Sequence, residues 1–350
     1  MRRMHCIGAC MSSGYSRIST RFLPWIPGFL WATKNPFSKA ETGLNELRNR
    51  MLQTFNEKNR DLIVNINGKL VHRDQAGISP FDSAVQGGDA VWEGLRLYNG
   101  RIFKLSEHLD RLRSSALALA ITEIPSHDAI THEIRRTLAA NQMRDNVHIR
   151  LTLTRGVKFT SGMDPRVNTA GPTLIVLAEH KAPVYDAKGI TLITSTMRRF
   201  PPDCLDPKIH HCNLIQSIMA KIQANAAGAD DALMLDMRGF VAETNATHVF
   251  IVKESEVETS HAVACPEGIT RATVLEICRA HDIPHREKDL SLTEVYRADE
   301  MFCTGTMGEL APVVRVDGRM IADGAGGPMT RRLTDLFRER TRTEGMQVID

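Results

Sequence analysis

Hydrophobic and polar positions follow strand-like and helix-like patterns along most of the chain. β-branched residues around 62–66 precede Asn67-Gly68, and Tyr98 precedes Asn99-Gly100, so two β-hairpins are predicted. After these hairpins, the spacing of the apolar residues predicts further helices and strands. The predicted elements in this half are helices Glu107 to about Ala120 and Ala129–Ala139, and strands His148–Thr154 and Pro172–Ala178.

The second half of the chain repeats this mixture after a stretch with Pro183 and Gly189 that is typical of a linker. Helix Asn213–Ala226 carries Leu214, Ile218 and Ile222 on one face. The other predicted elements are strands Ile190–Thr194, Leu233–Leu235, Val249–Val252 and Met301–Cys303, and helix Thr270–Ala280 entered from Gly268. Short hairpins alternating with long connections predict a two-lobed α/β or α+β protein.

Composition and charge exclude several classes of protein. Of the 350 residues, 44 are Lys or Arg and 41 are Asp or Glu, so the net charge is only +3, which argues against a general nucleic-acid binder. The longest apolar run, 22–31, is too short for a membrane span of about 20 residues. The seven scattered cysteines do not resemble a disulfide framework.

The first forty residues differ in composition from the rest of the chain. They are rich in Arg and Ser, and the first acidic residue is Glu41. This composition fits an organelle transit peptide, and a disordered tail is the alternative. The expected location is mitochondrial or another organelle if 1–40 is a transit peptide, and cytoplasmic otherwise.

Four short segments carry groups suited to holding a phosphorylated heterocycle. Gly268-Ile269-Thr270 opens a helix whose free N–H groups can bind phosphate, and Arg111 offers a guanidinium fork for the same group. Thr306, after Gly305, can add a hydroxyl, and Glu243 can keep a heterocyclic nitrogen protonated. Taken singly, each is weak evidence, because a helix entry, a turn, a solvated charge or a cap would explain it.

Together and in order, these motifs resemble the fold-type IV family of pyridoxal phosphate enzymes, and branched-chain amino acid aminotransferases most of all. The resemblance covers roughly residues 60–340. Its motifs are Val91-Trp92-Glu93-Gly94-Leu95-Arg96, Glu107-His108-Leu109-Asp110-Arg111-Leu112, His148-Ile149-Arg150, Glu243, Gly268-Ile269-Thr270-Arg271, Gly305-Thr306-Met307-Gly308 and Gly326-Gly327-Pro328-Met329.

The resemblance implies a fold and a set of roles. The fold is the two-lobed D-amino acid aminotransferase type, with a small N-terminal domain at 60–180, a linker at 181–188 and a large cofactor-binding domain at 189–345. Pyridoxal 5'-phosphate would be the cofactor. The implied roles are phosphate binding by Arg111, Ile269, Thr270 and Thr306, pyridine-nitrogen pairing by Glu243, and substrate contacts by Trp92, Arg150 and Met307.

The family also needs a lysine, whose amine forms an imine with the cofactor and later carries a proton. In relatives it stands three or four residues before an Asn that opens a helix. Aligned on Asn213, that slot holds His210 or Ile209, and Lys208 is five residues before the Asn.

Two interpretations of this departure stay open. If the stretch is extended, Lys208 and His210 share a face with Cα atoms roughly 6–7 Å apart, and Lys208 reaches the cofactor. Alternatively the slot is His210, whose imidazole can move protons but cannot form an imine. The cofactor would then be bound without a covalent link.

A metal site is a third possibility in the same stretch. Cys204, Asp206, His210, His211 and Cys212 are close in sequence, but the spacing matches no standard zinc pattern. Packed or surface histidines explain it better, so no metal is predicted.

The combined hypothesis is a pyridoxal-phosphate-dependent aminotransferase that exchanges an amino group between a branched-chain amino acid and a 2-oxo acid. Lys208 and His210 are the expected catalytic residues. The alternative is a family member that binds the cofactor but lacks the covalent lysine, and that either does not transaminate or catalyses lyase chemistry. The expected partners are these small molecules and a second copy of the chain, with no nucleic acid and no membrane.

Overall fold

A seven-stranded antiparallel sheet is the first of two sheets in the computed structural model, which describes residues 53–185 and 188–350. The strand order is β16-β4-β3-β5-β6-β1-β2. Asn67 and Gly68 turn between β1 and β2 with positive φ, as do Asn99 and Gly100 between β3 and β4, so both predicted hairpins are confirmed. The strands are β1 Ile63–Ile66, β2 Lys69–His72, β3 Ala90–Tyr98, β4 Arg101–Ile102, β5 Val147–Thr154, β6 Thr173–His180 and, from the C-terminus, β16 Met346–Gln347.

Two helices cover one face of this sheet. After the short α1 (Ser83–Gly87), α2 runs over Leu105–Ala118 and α3 over His127–Ala140. Each buries a stripe with helical spacing against the sheet, as the sequence pattern predicts; α2 packs on β3, and α3 packs on β6 and β1. The stripes are Leu105, Leu109, Leu112 and Ala116 on α2, and Ile130, Ile134 and Leu138 on α3. Trp92 and Arg150 project from the opposite face of the sheet, which these two helices do not cover.

The second sheet has nine strands of mixed direction. Its path is β12-β11-β10-β13-β14-β7-β8-β9, with β15 paired to β14. The pairs β7–β8, β14–β7 and β11–β12 are parallel, which requires the long connections foreseen for this half. The strands are β7 Ile190–Arg198, β8 Asp231–Leu235, β9 Val241–Thr244, β10 His248–Lys253, β11 Glu256–Ser260, β12 His285–Lys288, β13 Glu300–Gly305, β14 Glu309–Val316 and β15 Arg319–Met320.

The helices of this half are α4 Pro202–Leu205, α5 Ile215–Ala226, α6 Ile269–Ala280, α7 Leu292–Tyr296 and α8 Pro328–Thr343. Helix α5 buries its alanines, Ala220 and Ala224, against the sheet, while Ile218 and Ile222 lie exposed. The apolar stripe predicted for α5 therefore exists, but it faces away from the core. Within the described ranges, no helix is long and apolar enough to cross a membrane.

The proposed transit segment, 1–40, lies outside the described residues. The division into domains at 181–188 also stays a proposal, since Asp186 and Ala187 lie outside them too.

The C-terminal residues return to the first sheet. β16 pairs with β4, and Val348 is buried in that sheet's core. The N–H groups of Val348 and Ile349 both donate to the Gly100 carbonyl. The end of the chain is thus bound to the sheet formed by its first half.

Replacing Gly100 by alanine is expected to lower the free energy of unfolding by about 2–3 kcal/mol in chemical denaturation. Its φ is +77°, and a Cβ would collide with the Ile349 carbonyl oxygen. Gly318 has the same φ of +77° but open space at that point, so Gly318→Ala should lose only about 1 kcal/mol. Equal losses for the two variants would show that the C-terminal segment is not held at Gly100.

Candidate active site

The segment that should carry the reactive amine forms a turn before it reaches the first sheet. The Ile209 N–H donates to the Asp206 carbonyl at 3.1 Å, and the Lys208 N–H donates to Asp206 Oδ1 at 2.9 Å. Asp at the first position and Pro207 at the second are typical of such a turn. The extended geometry that would put Lys208 and His210 on one face is therefore not formed.

Lys208 extends from this turn toward the side chain of Glu267. Its Nζ is 3.7 Å from Glu267 Oε1, and the two side chains are 48% and 71% exposed. A single exposed ion pair of this kind contributes at most about 1 kcal/mol. Lys208 is thus loosely held near the residue that precedes Gly268.

His210 is directed inward by backbone pairing with β3. The Trp92 N–H donates to the His210 carbonyl at 3.0 Å, and the Cys212 N–H donates to the Ala90 carbonyl at 2.8 Å. The imidazole stacks on the Trp92 ring with centroids 4.2 Å apart, and its Nδ1 lies 2.6 Å from the Trp92 carbonyl oxygen. Burial lowers the pKa of His210, so the ring is neutral at pH 7.

Glu93, beside His210, is a fully buried carboxylate at the centre of a charged cluster. Arg111 donates to both of its oxygens at 2.7 Å, and His108 Nδ1 lies 2.6 Å from Oε2. His210 Nδ1 is 3.3 Å from Oε1. Burial raises the pKa of Glu93, but His210 and Arg111 lower it by more and hold it well below its usual range. The cluster therefore keeps a stable negative charge beside His210.

Arg111 also reaches the entry of helix α6. Its Nη1 donates to the Glu267 carbonyl at 2.8 Å, next to Gly268, which begins α6 without a side-chain cap. Three of the five guanidinium N–H groups are used by Glu93 and Glu267, which leaves two. Arg111 thus lies beside the start of α6, where the sequence analysis expects the N–H groups of Ile269 and Thr270 to hold a phosphate.

Glu243 lies buried in β9 with little hydrogen bonding. Its Oε1 is 3.0 Å from Arg199 Nε, but Arg199 directs its other nitrogens to Ser217 Oγ and the Thr244 carbonyl. Burial raises the pKa of Glu243 to about 7, although Arg199 and Arg111 act in the opposite direction. Glu243 pairs with Arg199 but accepts no hydrogen bond from the described residues, and such a buried acceptor favours a protonated partner.

The titration of Glu243 predicts a pH-dependent stability. Because its pKa is raised in the folded state, the stabilising effect of its proton is complete below about pH 4.5 and is lost as the pH rises to about 7. The wild type should therefore lose about 3 kcal/mol of unfolding free energy over this range relative to Glu243→Gln. Urea denaturation of both proteins at several pH values measures this difference, and parallel pH curves would contradict the raised pKa.

The remaining predicted residues fall into two groups. Arg150 lies with its guanidinium carbon 3.5 Å from the Trp92 ring centre, and its Nη2 is 3.9 Å from Cys212 Sγ. Trp92, Arg150 and His210 thus form one contact group. Thr306 and Met307 follow β13, and the Met307 carbonyl accepts a hydrogen bond from the Val184 N–H at 3.2 Å. Neither Thr306 nor Met307 makes a side-chain hydrogen bond to Trp92, Arg150 or His210 within the part of the chain described.

Sequence reasoning missed Arg96, Glu93 and Arg199 as site residues. Arg96 shares a face of β3 with Trp92 because side chains alternate along a strand, and its Nε and Nη1 are buried without a hydrogen bond to any residue that the structure describes. That alternation is the signal available from the sequence. Among the described residues no three His, Cys, Asp or Glu side chains come together as a metal site.

Comparisons with family models, known sequences and solved structures all find aminotransferases. The class IV amino-transferase family model matches residues 90–316. A branched-chain-amino-acid aminotransferase-like protein 2 of Arabidopsis thaliana is 53% identical over 292 residues, which are 83% of this chain and 52% of that protein. This chain thus spans about half the length of that relative.

Two further matches are covered almost completely by the alignment. The branched-chain-amino-acid aminotransferase of Pseudomonas aeruginosa is 32% identical over 79% of this chain and 92% of its own length. The branched-chain amino acid aminotransferase of Thermobaculum terrenum, whose crystal structure is of the PLP form, has a TM-score of 0.75 and 26% identity over 83% of this chain and 100% of its own.

Proposed function

Because the chain belongs to the class IV aminotransferase family, we propose that it binds pyridoxal 5'-phosphate and acts on an amino acid and 2-oxo acid pair, with His210 in place of the covalent lysine. The proposal rests on the different surroundings of two side chains, His210 and Lys208. His210 packs on Trp92 and lies beside Glu93 with 15% of its side chain exposed, whereas Lys208 is 48% exposed and pairs with the Glu267 carboxylate.

The site residues fit the two ends of this cofactor. The two unused N–H groups of Arg111 and the uncapped start of α6 match a phosphate dianion. Glu243, a buried acceptor without a hydrogen-bond donor, matches a protonated pyridine nitrogen. When bound, the cofactor supplies an electron sink for the carbanion formed at a substrate α-carbon.

The substrate end of the site carries two arginines. Arg150 lies over Trp92, and Arg96 on the same face of the sheet is buried 4.0 Å from the Glu309 carboxylate, with two nitrogens that make no hydrogen bond to the described residues. Guanidinium groups of this kind bind carboxylates, which both an amino acid and a 2-oxo acid carry. We assign substrate contacts to Trp92, Arg150 and the backbone at Met307, and phosphate contacts to Thr306 in addition to Arg111.

A second candidate function is branched-chain transamination with Lys208 as the amine. The names of the relatives favour it, since the Pseudomonas aeruginosa and Thermobaculum terrenum proteins are both branched-chain aminotransferases. The Lys208–Glu267 pair is exposed, so releasing the amine costs about 1 kcal/mol or less. For Lys208 to act, the turn at 206–209 must also open.

Replacing Lys208 by alanine separates the two candidates. Under the main proposal, the variant should bind the cofactor and convert substrate within about twofold of wild type, because the side chain makes only a surface contact. Lys253→Ala is the matched control, since Lys253 is 40% exposed and pairs with Asp299. A loss of about 100-fold or more in activity for Lys208→Ala alone would favour the second candidate.

We also propose that the protein is a homodimer that uses the exposed face of α5. This face presents Ile215, Ile218, Met219 and Ile222, which are between 47% and 61% exposed. Apolar clusters of this kind commonly mark protein interfaces. A second copy of the chain is the expected partner, as the family resemblance implies.

Two variants test the homodimer by sedimentation. Ile218→Glu should convert the dimer into monomers, because a charge would be buried at the interface. Leu117→Glu is the control, since Leu117 is 56% exposed on α2, far from α5 in sequence. A wild-type protein that sediments as a monomer, or an unchanged dimer in Ile218→Glu, would contradict the proposal.

A further inference from the structure

The face of β10 that meets helix α6 is apolar except at its first residue. Side chains alternate along a strand, so His248, Phe250 and Val252 project toward the same side. Phe250 and Val252 pack with Val274 and Ile277 of α6 in one buried cluster. His248, also buried, stands at the end of this row, beside the residues that lead into the helix. It is therefore a polar contact between β10 and the start of α6.

His248 contacts the main chain of the segment Pro266–Gly268, which precedes the first turn of α6. Its Nε2 lies 2.8 Å from the Pro266 carbonyl oxygen. A carbonyl oxygen can only accept a hydrogen bond, so Nε2 carries the proton and is the donor. Gly268 packs against the same ring so closely that a Cβ added to it would collide with the ring atoms. The segment is thus held by a hydrogen bond and by close packing.

The His248 imidazole explains why residue 268 is glycine. The φ of −70° and ψ of 122° at Gly268 suit any residue, so the backbone itself does not require glycine here. Ser, Thr, Asp and Asn usually precede a helix, because their side-chain oxygens accept hydrogen bonds from the N–H groups of its first turn. Any of them at position 268 would place its Cβ against the His248 ring. The ring therefore excludes a capping side chain, and α6 begins without one.

The charge state of His248 shows that its contribution is geometric. Burial lowers the pKa of His248 to about 3, the hydrogen bond to Pro266 acts in the opposite direction, and the charges of Arg271, Arg111 and Arg199 lower it further. The ring is therefore neutral at pH 7. It adds no positive charge to a region where these arginines already supply it.

We propose that His248 is a positioning residue for the cofactor phosphate, because it fixes the segment Pro266–Gly268 and keeps the first N–H groups of α6 free of a capping side chain. This inference rests on the proposed function, in which the phosphate lies at the start of α6 beside Arg111. Arg111 donates to the Glu267 carbonyl at 2.8 Å, so two successive carbonyls of the segment are bonded, one to each side chain. The N–H groups that bind the phosphate thus depend on His248 for their position, although the ring need not touch the phosphate.

Equilibrium binding of pyridoxal 5'-phosphate and of pyridoxal, which lacks the phosphate, tests the positioning role. His248→Leu removes the donor at similar volume. In this variant the dissociation constant for pyridoxal 5'-phosphate should rise about tenfold, while that for pyridoxal stays within about twofold. His248→Gln, whose amide N–H can donate to the Pro266 carbonyl, should recover most of the lost affinity. An equal rise for both ligands in His248→Leu, or no rise for either, would overturn the inference.

His285→Leu is the matched control for these binding measurements. His285 also lies against a backbone carbonyl, with its Nδ1 2.9 Å from the Ile283 carbonyl oxygen, but it belongs to β12. The affinities of this variant for both ligands should stay within about twofold of wild type. A loss of phosphate-dependent affinity equal to that of His248→Leu would contradict a specific role for His248.

Melting temperatures of the cofactor-free protein test the contact itself. Gly268→Ala should lower the melting temperature by about 3 °C or more, because the new methyl group collides with the His248 ring. In a His248→Ala background the same substitution should be neutral, since the backbone angles at 268 suit alanine. Equal losses in the two backgrounds would overturn the inference. Failure of the wild type to bind pyridoxal 5'-phosphate would overturn the proposed function and the phosphate role with it, while the melting comparison would still decide whether the ring fixes Gly268.

Discussion

Replacing Arg111 by alanine should lower the free energy of unfolding by about 3–5 kcal/mol, the largest stability effect expected in the protein. The variant leaves Glu93, whose side chain is completely buried, without the guanidinium that bonds to both of its oxygens. An uncompensated buried charge accounts for most of this loss. Cofactor affinity should fall as well, because the same guanidinium faces the start of α6. Urea denaturation and equilibrium binding measure the two effects.

Arg113→Ala is the matched control for this prediction. Arg113 is exposed on the same helix, two residues further along, so its removal should cost less than about 0.5 kcal/mol. The loss in Arg111→Ala should also shrink at low pH, where protonation of Glu93 removes the unpaired charge. Similar stability of the two variants would contradict the central role given to the Glu93 cluster.

Replacing His210 by lysine should have the largest effect on chemistry. An amine at position 210 would stand beside Trp92 and Glu93, where the imidazole now lies, and a lysine amine can form a covalent bond with the cofactor aldehyde. The variant should gain stoichiometric covalent attachment, detected after borohydride reduction and peptide mass spectrometry. A rise in transamination should accompany it.

His211→Lys is the control for the lysine gain. His211 is the next residue but is bonded differently, since its Nδ1 accepts from the Asn213 N–H at 3.1 Å. An amine there should remain unattached. Covalent attachment in both variants, or in neither, would show that position 210 does not define the cofactor-facing side of this segment.

Local signals in the sequence predict much of the fold. Asn67-Gly68 and Asn99-Gly100 specify hairpins because both residues of each pair adopt the positive φ that the turn itself requires. The helical stripes on α2 and α3 are equally local. The turn at Asp206-Pro207 also carries a local signal, and recognising it would have removed the extended geometry assumed for Lys208.

The features that the sequence does not predict depend on contacts between residues far apart in the chain. The periodicity of α5 predicts an apolar stripe but not that the stripe lies outside, since Ala220 and Ala224 are sufficient to pack on the sheet. The direction of His210 depends on pairing with Trp92, 118 residues earlier. Glu93 becomes a site residue only because α2 brings Arg111 and His108 to it.

Borohydride reduction of the wild-type protein loaded with pyridoxal phosphate, followed by peptide mass spectrometry, shows whether any lysine holds the cofactor covalently. The cofactor should bind, no peptide should carry a pyridoxyl group, and the cofactor should be released on denaturation. A pyridoxyl group on Lys208 would contradict this expectation and establish that residue as the covalent lysine.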